Sequence, residues 1–260
     1  MKKDKKLLKV TFLGTGTSQG IPMIASNDPV CLSTNPKDKR LRSSVLISWD
    51  DVTYVIDCGP DFRQQMLREN VQLINGVFFT HEHADHTAGL DDLRPFCYKI
   101  GEMPIYVADR VLRNLEQRFD YIFSKENRYP GAPSVIPFNV NNTPFLVGDI
   151  EVIPINVLHG KLPITGYRMQ DFAYLTDVKS IEETEKDKLK NLDVLVVNAL
   201  RIDKHPTHFN LQEALDFVAE IQPQKTYFTH ISHKLGFHKE ISEQLPENVF
   251  LAFDGLKISI

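Results

Sequence analysis

The chain predicts an α+β fold in which two β-sheets pack together under a cover of helices. Three observations carry the expectation. Short apolar runs of strand length recur steadily from residue 9 to residue 260. In the second half these runs alternate with segments of helical spacing, whereas the first half is richer in hairpin patterns. A hydrophobic content of 42% over 260 residues is enough to fill a core.

The strand expectations fall at residues 9–13, 44–49, 52–57, 77–80, 105–108, 150–157, 164–169, 172–176, 194–198, 226–229, 249–253 and 257–260. Residues 61–69 and 109–119 read as helices. Ser180 with Glu183 has the spacing of a capping box and predicts a helix start. Asn210 with Glu213 predicts another, because Leu211, Ala214, Leu215, Val218 and Ile221 follow at helical spacing. Residues 127–144 hold four prolines and several asparagines and are expected to form a long surface loop. No repeat, low-complexity segment or linker stands out, so residues 1–260 are expected to form a single domain.

Composition excludes several classes. The net charge is -4 and the pI about 6.1, which argues against a broad phosphate-binding surface for long nucleic acids. No apolar run approaches the ~20 residues of a membrane span. The basic segment Met1-Lys2-Lys3-Asp4-Lys5-Lys6 is expected to be a solvated arm, since Leu7-Leu8 is too short for a signal-peptide core. Cys31, Cys58 and Cys97 are odd in number and scattered, which implies no disulfide framework and fits a reducing cytoplasm.

The chemistry concentrates in His81-Glu82-His83-Ala84-Asp85-His86. The apolar run Val77-Phe78-Phe79 before it reads as a buried strand, so the hexapeptide is expected in the loop leaving that strand's carboxyl end. Such a loop offers three imidazoles and a carboxylate to two ions at once. That donor mixture suits Zn, Mn or Fe rather than Ca. His159, Asp177 and His230 each follow an apolar run as well. A lone His or Asp after a strand is more often a turn former. With the hexapeptide present, one shared site accounts for all of them.

Gly14-Thr15-Gly16-Thr17-Ser18, Asp57-Cys58-Gly59-Pro60, the H-x-H-x-D-H loop, His159, Asp177 and Thr229-His230-Ile231-Ser232-His233 together resemble the metallo-β-lactamase fold superfamily. The resemblance runs from about Phe12 to Ile260. Leu13-Gly14-Thr15-Gly16 through Gln19-Gly20-Ile21-Pro22, the Thr229 segment and Phe253-Asp254-Gly255 are similar to the phosphoribosyl cyclic phosphate phosphodiesterases of the carbon–phosphorus lyase pathway. The resemblance implies a four-layer αββα sandwich with the site at one edge of the two sheets. It also implies two divalent metal ions, Zn or Mn, with Fe as a third option. His81, His83 and His159 would hold one ion and Asp85, His86 and His230 the other. Asp177 would bridge them, and Asp57 would orient a ligand imidazole.

Two ions ~3.5–4 Å apart can share a water, lower its pKa and clamp both oxygens of an in-line displacement. The resemblance implies hydrolysis of a small cyclic phosphodiester or a similar ester through a metal-bridged hydroxide. His208 and Asp85 are the expected catalytic residues. His208, in Lys204-His205-Pro206-Thr207-His208-Phe209, matches a histidine of the phosphodiesterase branch and would protonate the leaving alkoxide. His205 has the same chemistry but no counterpart there. The branch's accessory zinc site uses three cysteines and a histidine. The matching positions here read Ser26, Asp28 and Cys31, with His233 retained, so no tightly bound third metal is expected and the loop 21–35 is expected to be more mobile. A small-molecule substrate, no long nucleic acid, no membrane and a homodimer complete the expectation. The competing readings are a tRNA 3′-end nuclease of the same superfamily, a thioesterase or lactonase, and a non-enzymatic scaffold. The nuclease needs a Gly- and Lys/Arg-rich tRNA-gripping insertion, and none is evident.

Overall fold

The computed structural model describes residues 5–260 apart from 125 and 127. In chain order the strands are β1 (Lys9–Gly14), β2 (Ser44–Trp49), β3 (Val52–Ile56), β4 (Gly76–Phe78), β5 (Met103–Val107), β6 (Val135–Asn139), β7 (Phe145–Val147), β8 (Ile150–His159), β9 (Leu162–Met169), β10 (Phe172–Tyr174), β11 (Ser180–Ile181), β12 (Val194–Asn198), β13 (Lys225–Thr229), β14 (Val249–Leu251) and β15 (Lys257–Ser259). The helices are α1 (Pro29–Leu32), α2 (Phe62–Arg68), α3 (Ala84–Thr87), α4 (Arg94–Ile100), α5 (Asp109–Arg118), α6 (Asp120–Phe123), α7 (Glu183–Lys186), α8 (Leu211–Ile221) and α9 (His238–Ser242).

One sheet runs β15-β1-β2-β3-β4-β5-β6 and the other β11-β8-β9-β10-β12-β13-β14, with β7 paired to β8. Period-two alternation builds the layers. Ile56, Phe78, Tyr174 and Val196 point between the sheets and join Phe12, Tyr167 and Phe172 in the central core. Their neighbours Val55 and Val77 turn outward onto Phe62, Met66, Phe96 and Leu115 of α2, α4 and α5. On the opposite flank Leu195 and Val197 turn onto Ala214, Phe217 and Val218 of α8. Three cores separate four layers, which is the αββα sandwich expected.

Two local expectations are corrected. Ser180 does not cap a helix: it lies in β11, paired with Leu158, and α7 starts at Glu183 with Glu182 at its N-cap. Residues 127–144 are not one long loop, although residue 127 itself lies outside the described residues. They include β6, which pairs parallel with β5 at the sheet edge. Pro137 is tolerated there because an edge strand has one side with no ladder to break. At α8 the capping box forms as expected. Asn210 Oδ1 accepts from the Glu213 N–H at 2.9 Å, and Glu213 Oε2 accepts from the Asn210 N–H at 3.0 Å. Of the basic arm, residues 1–4 lie outside the described residues. Lys5 pairs with Asp171, and Lys6 Nζ lies 2.8 Å from Asp50 Oδ2. Among the described residues no helix is long and apolar enough to cross a membrane.

Topology puts the site at one edge. Strands β3 and β4 are parallel, so their carboxyl ends lie together. In the other sheet β10, β12 and β13 are parallel. Strand β8 shares their direction, because β8 and β10 each run antiparallel to β9. The two edges are tied where they meet: Tyr167 Oη donates to Phe79 O at 2.6 Å and Thr165 N–H to Thr80 O at 3.0 Å.

Candidate metal centre

The residues that follow these carboxyl ends converge. Asp57 follows β3, His81 follows β4 by a short loop, His159 ends β8, Asp177 lies past β10 and His230 follows β13. Asp57, Asp177 and His230 have φ of 63°, 59° and 54°, left-handed values that turn each strand sharply. Asp and His tolerate this region better than most side chains, yet each such position costs on the order of 1–3 kcal/mol. The hexapeptide is only partly a loop. His81 and His83 are in it, but His83 is the N-cap of α3, and Asp85 and His86 stand in the first turn of that helix. Thr87 Oγ1 donates to His83 O at 2.9 Å and helps hold that turn.

His86 and His159 are each anchored through Nδ1, which leaves Nε2 turned toward the cluster. His86 Nδ1 donates to Asp57 Oδ2 at 2.7 Å, which turns Nε2 toward Asp85 Oδ2 at 3.1 Å and Asp177 Oδ2 at 3.3 Å. His159 Nδ1 donates to Thr207 O at 2.8 Å. His81 Nδ1 meets Thr80 Oγ1 at 2.9 Å, and its Nε2 lies 3.0 Å from His83 Nδ1. His230 Nε2 lies 3.1 Å from Asp177 Oδ1 and 3.6 Å from Asp85 Oδ2. Three compact donor groups result: His81, His86 and Asp177; Asp85, His86 and His230; His159, Asp177 and His208. They share His86 and Asp177, so the cluster is continuous. His83 stands at its exposed rim, its ring centroid 5.2 Å from that of His159. The structure thus brings all seven expected ligands and His208 to one place.

The donor set fits divalent ions on two grounds. His86 Nε2 and His230 Nε2 are buried and have no hydrogen-bond partner, although carboxylates lie nearby. Orphaned buried imidazole nitrogens beside carboxylates are expected of ligand atoms facing a cation. The charges agree. Against the burial that disfavours charge, Asp85, Asp177 and Asp57 hold the His86 imidazolium well above its usual range. Against the same burial, His230 and His86 hold the Asp177 carboxyl well below its own. Carboxylates that bind protons onto neighbouring rings will bind a metal cation in their place, which is why such sites release protons on loading.

Asp57 orients His86, and its carboxylate is itself clamped by Thr80, whose N–H and Oγ1 donate to it at 2.8 Å each. Sequence reasoning missed Thr80, which reads as the end of a strand. It also missed Arg110, which pairs with Glu82 of the hexapeptide. His208 is buried, with Nε2 2.9 Å from Asp177 Oδ1 and its ring stacked on His230 at 5.0 Å. Burial pushes its imidazolium down to about 4, against the pull of the Asp177 carboxylate.

In the loop 21–35, Ser26 Oγ accepts from Asp28 N–H at 3.2 Å, and Asp28 Oδ1 caps α1 by accepting from Val30 N–H at 2.9 Å. Cys31 is buried, and its Sγ accepts from Met23 N–H at 3.5 Å. These oxygens and this sulfur serve the local backbone.

Residues 53–231 match the family model of the beta-lactamase superfamily domain. A solved diphosphatase of the PhnP family is 39% identical, with a TM-score of 0.92 over 98% of this chain and 97% of that one. An octanoyltransferase of Porphyromonas gingivalis is 40% identical over 97% of this chain and 52% of its own length. A ribonuclease Z of Crocosphaera subtropica is 28% identical over 63% of this chain and 48% of its own. The chain spans about half the length of these curated relatives, so the name of either whole protein covers more than the matched part.

Proposed function

The chain belongs to the beta-lactamase superfamily, and on that premise we propose that it is a two-ion hydrolase of small, cyclic phosphodiesters. The observation that carries the proposal is the continuous cluster of His81, Asp85, His86, His159, Asp177, His208 and His230, with His83 at its rim 3.0 Å from His81. His81, His83 and His159 would hold one ion, Asp85, His86 and His230 the second, and Asp177 would serve both. Ions held there, Zn or Mn by donor type, would lower the pKa of a water and neutralise phosphoryl charge.

The chain's own residues supply the rest. Asp57 and Thr207 O keep the Nδ1 protons of His86 and His159, so both Nε2 lone pairs point inward. His208 Nε2–H would give its proton to the leaving alkoxide, a task the ligand imidazoles cannot share. The PhnP-family diphosphatase and the ribonuclease Z relatives support P–O bond chemistry. The ribonuclease Z relatives also favour a second reading, RNA processing, which the net charge of -4 opposes.

Turnover of bis(p-nitrophenyl) phosphate, an octanoyl thioester, a lactone and a precursor tRNA by the metal-loaded chain tests the proposal. Only bis(p-nitrophenyl) phosphate should be cleaved rapidly, and Asp85→Ala should abolish that activity in a folded protein. Preferred cleavage of another substrate, or an Asp85→Ala variant keeping more than a tenth of the rate, would overturn it.

A further inference from the structure

We propose that His205 is a positioning residue for His208: its Nδ1 lone pair accepts the Nδ1–H of His208 and keeps the opposite nitrogen aimed at the leaving oxygen. The inference rests on the acid role given to His208 above. His205 lies half-buried in the loop between β12 and α8. Its Nδ1 receives the backbone N–H of Thr207 at 3.3 Å. A backbone N–H only donates, so His205 Nδ1 carries a lone pair and its proton sits on Nε2. His208 Nδ1 lies 3.1 Å from this lone pair. Two lone pairs would repel at that distance, so His208 Nδ1 carries a proton and donates it. The Thr207 hydroxyl, 3.2 Å from His205 Nδ1 and 3.0 Å from His208 Nδ1, allows the same polarity as a second acceptor of the His208 Nδ1–H.

On its other side His208 Nε2 faces Asp177 Oδ1, a second acceptor, at 2.9 Å. With Nδ1 held by His205, Nε2 is the nitrogen turned toward the cluster. In the proposed step the P–O bond breaks, its electron pair stays on the leaving oxygen, and the Nε2–H proton moves to that oxygen. His208 is left neutral with its remaining proton on Nδ1, the tautomer that His205 already accepts. No ring rotation or tautomer exchange is needed within the turnover. Asp177 is also a proposed ligand, so its oxygen is shared with the ions. The Nδ1 anchor is then the contact left to fix the ring.

The test compares His205→Ala, His205→Gln and His208→Ala in the metal-loaded chain on two substrates. Adenosine 2′,3′-cyclic phosphate needs a proton on its ribose oxygen, and bis(p-nitrophenyl) phosphate does not need one on its aryl oxygen. Loss of a partner that orients a functional imidazole costs roughly 10–100-fold. His205→Ala should lose about that much kcat on the cyclic ester. Its KM should hold, and the aryl ester should be nearly unaffected. His205→Gln, whose side-chain oxygen can accept the same proton, should recover much of the loss. Independently of activity, long-range proton–nitrogen NMR of the metal-free chain should show His205 protonated at Nε2 and His208 at Nδ1. A proton on His205 Nδ1 overturns the inference. Equal losses on both substrates in His205→Ala, while His208→Ala still separates them, overturn it too and leave the acid role standing. If His208→Ala fails to separate the substrates, the acid role itself falls.

Discussion

Replacing Asp57 by Asn should weaken metal binding by ~10–100-fold, about 1.4–2.7 kcal/mol, while leaving the fold in place. The carboxylate accepts three hydrogen bonds, from Thr80 N–H and Thr80 Oγ1 at 2.8 Å each and from His86 Nδ1 at 2.7 Å. Asn keeps an oxygen at Oδ1 for the Thr80 N–H, but places an NH2 group where Oδ2 had received two donors. The Thr80 hydroxyl can rotate to accept. His86 cannot: either its Nδ1–H meets another N–H, or its proton moves to Nε2 and removes the lone pair that faces Asp85 and Asp177. Both outcomes damage the second ion's site. One buried donor left without a partner costs ~1–3 kcal/mol in the metal-free chain, which a domain of this size survives. Competition with a chromophoric chelator gives the affinity, and a thermal melt of the metal-free variant checks the fold. A folded Asp57→Asn variant that binds metal as tightly as the parent would refute the orienting role of Asp57.

How far the sequence reached depended on whether a residue's partners were local. Strand β12 was legible because Val194 to Val197 form an apolar run whose alternate faces both meet a core. Strand β6 was not, because its stabilisation comes from pairing with β5, a contact that Pro137 and the flanking asparagines conceal. Ser180 had the local spacing of a cap, but pairing with β8 across the chain took precedence. The site divides in the same way. His81, His83, Asp85 and His86 announce themselves by density in one hexapeptide. Asp177 and His230 look like ordinary strand-end residues, and it is the hexapeptide beside them, then the resemblance and the fold, that gather them. Thr80, Thr207 and His205 act through hydrogen bonds set by loop geometry, and no spacing rule marks them.

The remaining predictions follow from the same geometry. Elemental analysis after desalting should find no more than two tightly held ions per chain, and a value near three with sulfur coordination at Cys31 would refute this. Gly59→Ala should lose on the order of 10²-fold in phosphodiester turnover, because a Cβ there would lie 2.0 Å from Asp85 O and must displace the turn that carries a ligand. Near-parental turnover would show that the turn yields without moving Asp85. The last concerns pH. His238 is buried, its Nδ1 is 3.1 Å from Arg40 Nη2, and its N–H donates to Asp38 Oδ1 at 2.7 Å. Burial first, then the Arg40 and Lys37 charges, push its imidazolium down to about 4, against the opposing Asp38. Between that value and the unfolded pKa of ~6.5 the unfolded chain binds a proton that the native chain refuses. Its contribution is therefore complete above about pH 6.5 and is lost as the pH falls toward 4, by no more than about 3.4 kcal/mol in total. Gln in its place can still accept from Arg40 but does not titrate. Urea unfolding of the metal-free chain at pH 7 and pH 4.5 should show a smaller acid loss for His238→Gln than for the parent. Identical losses would mean that His238 is protonated in the native state, with the Arg40 contact broken.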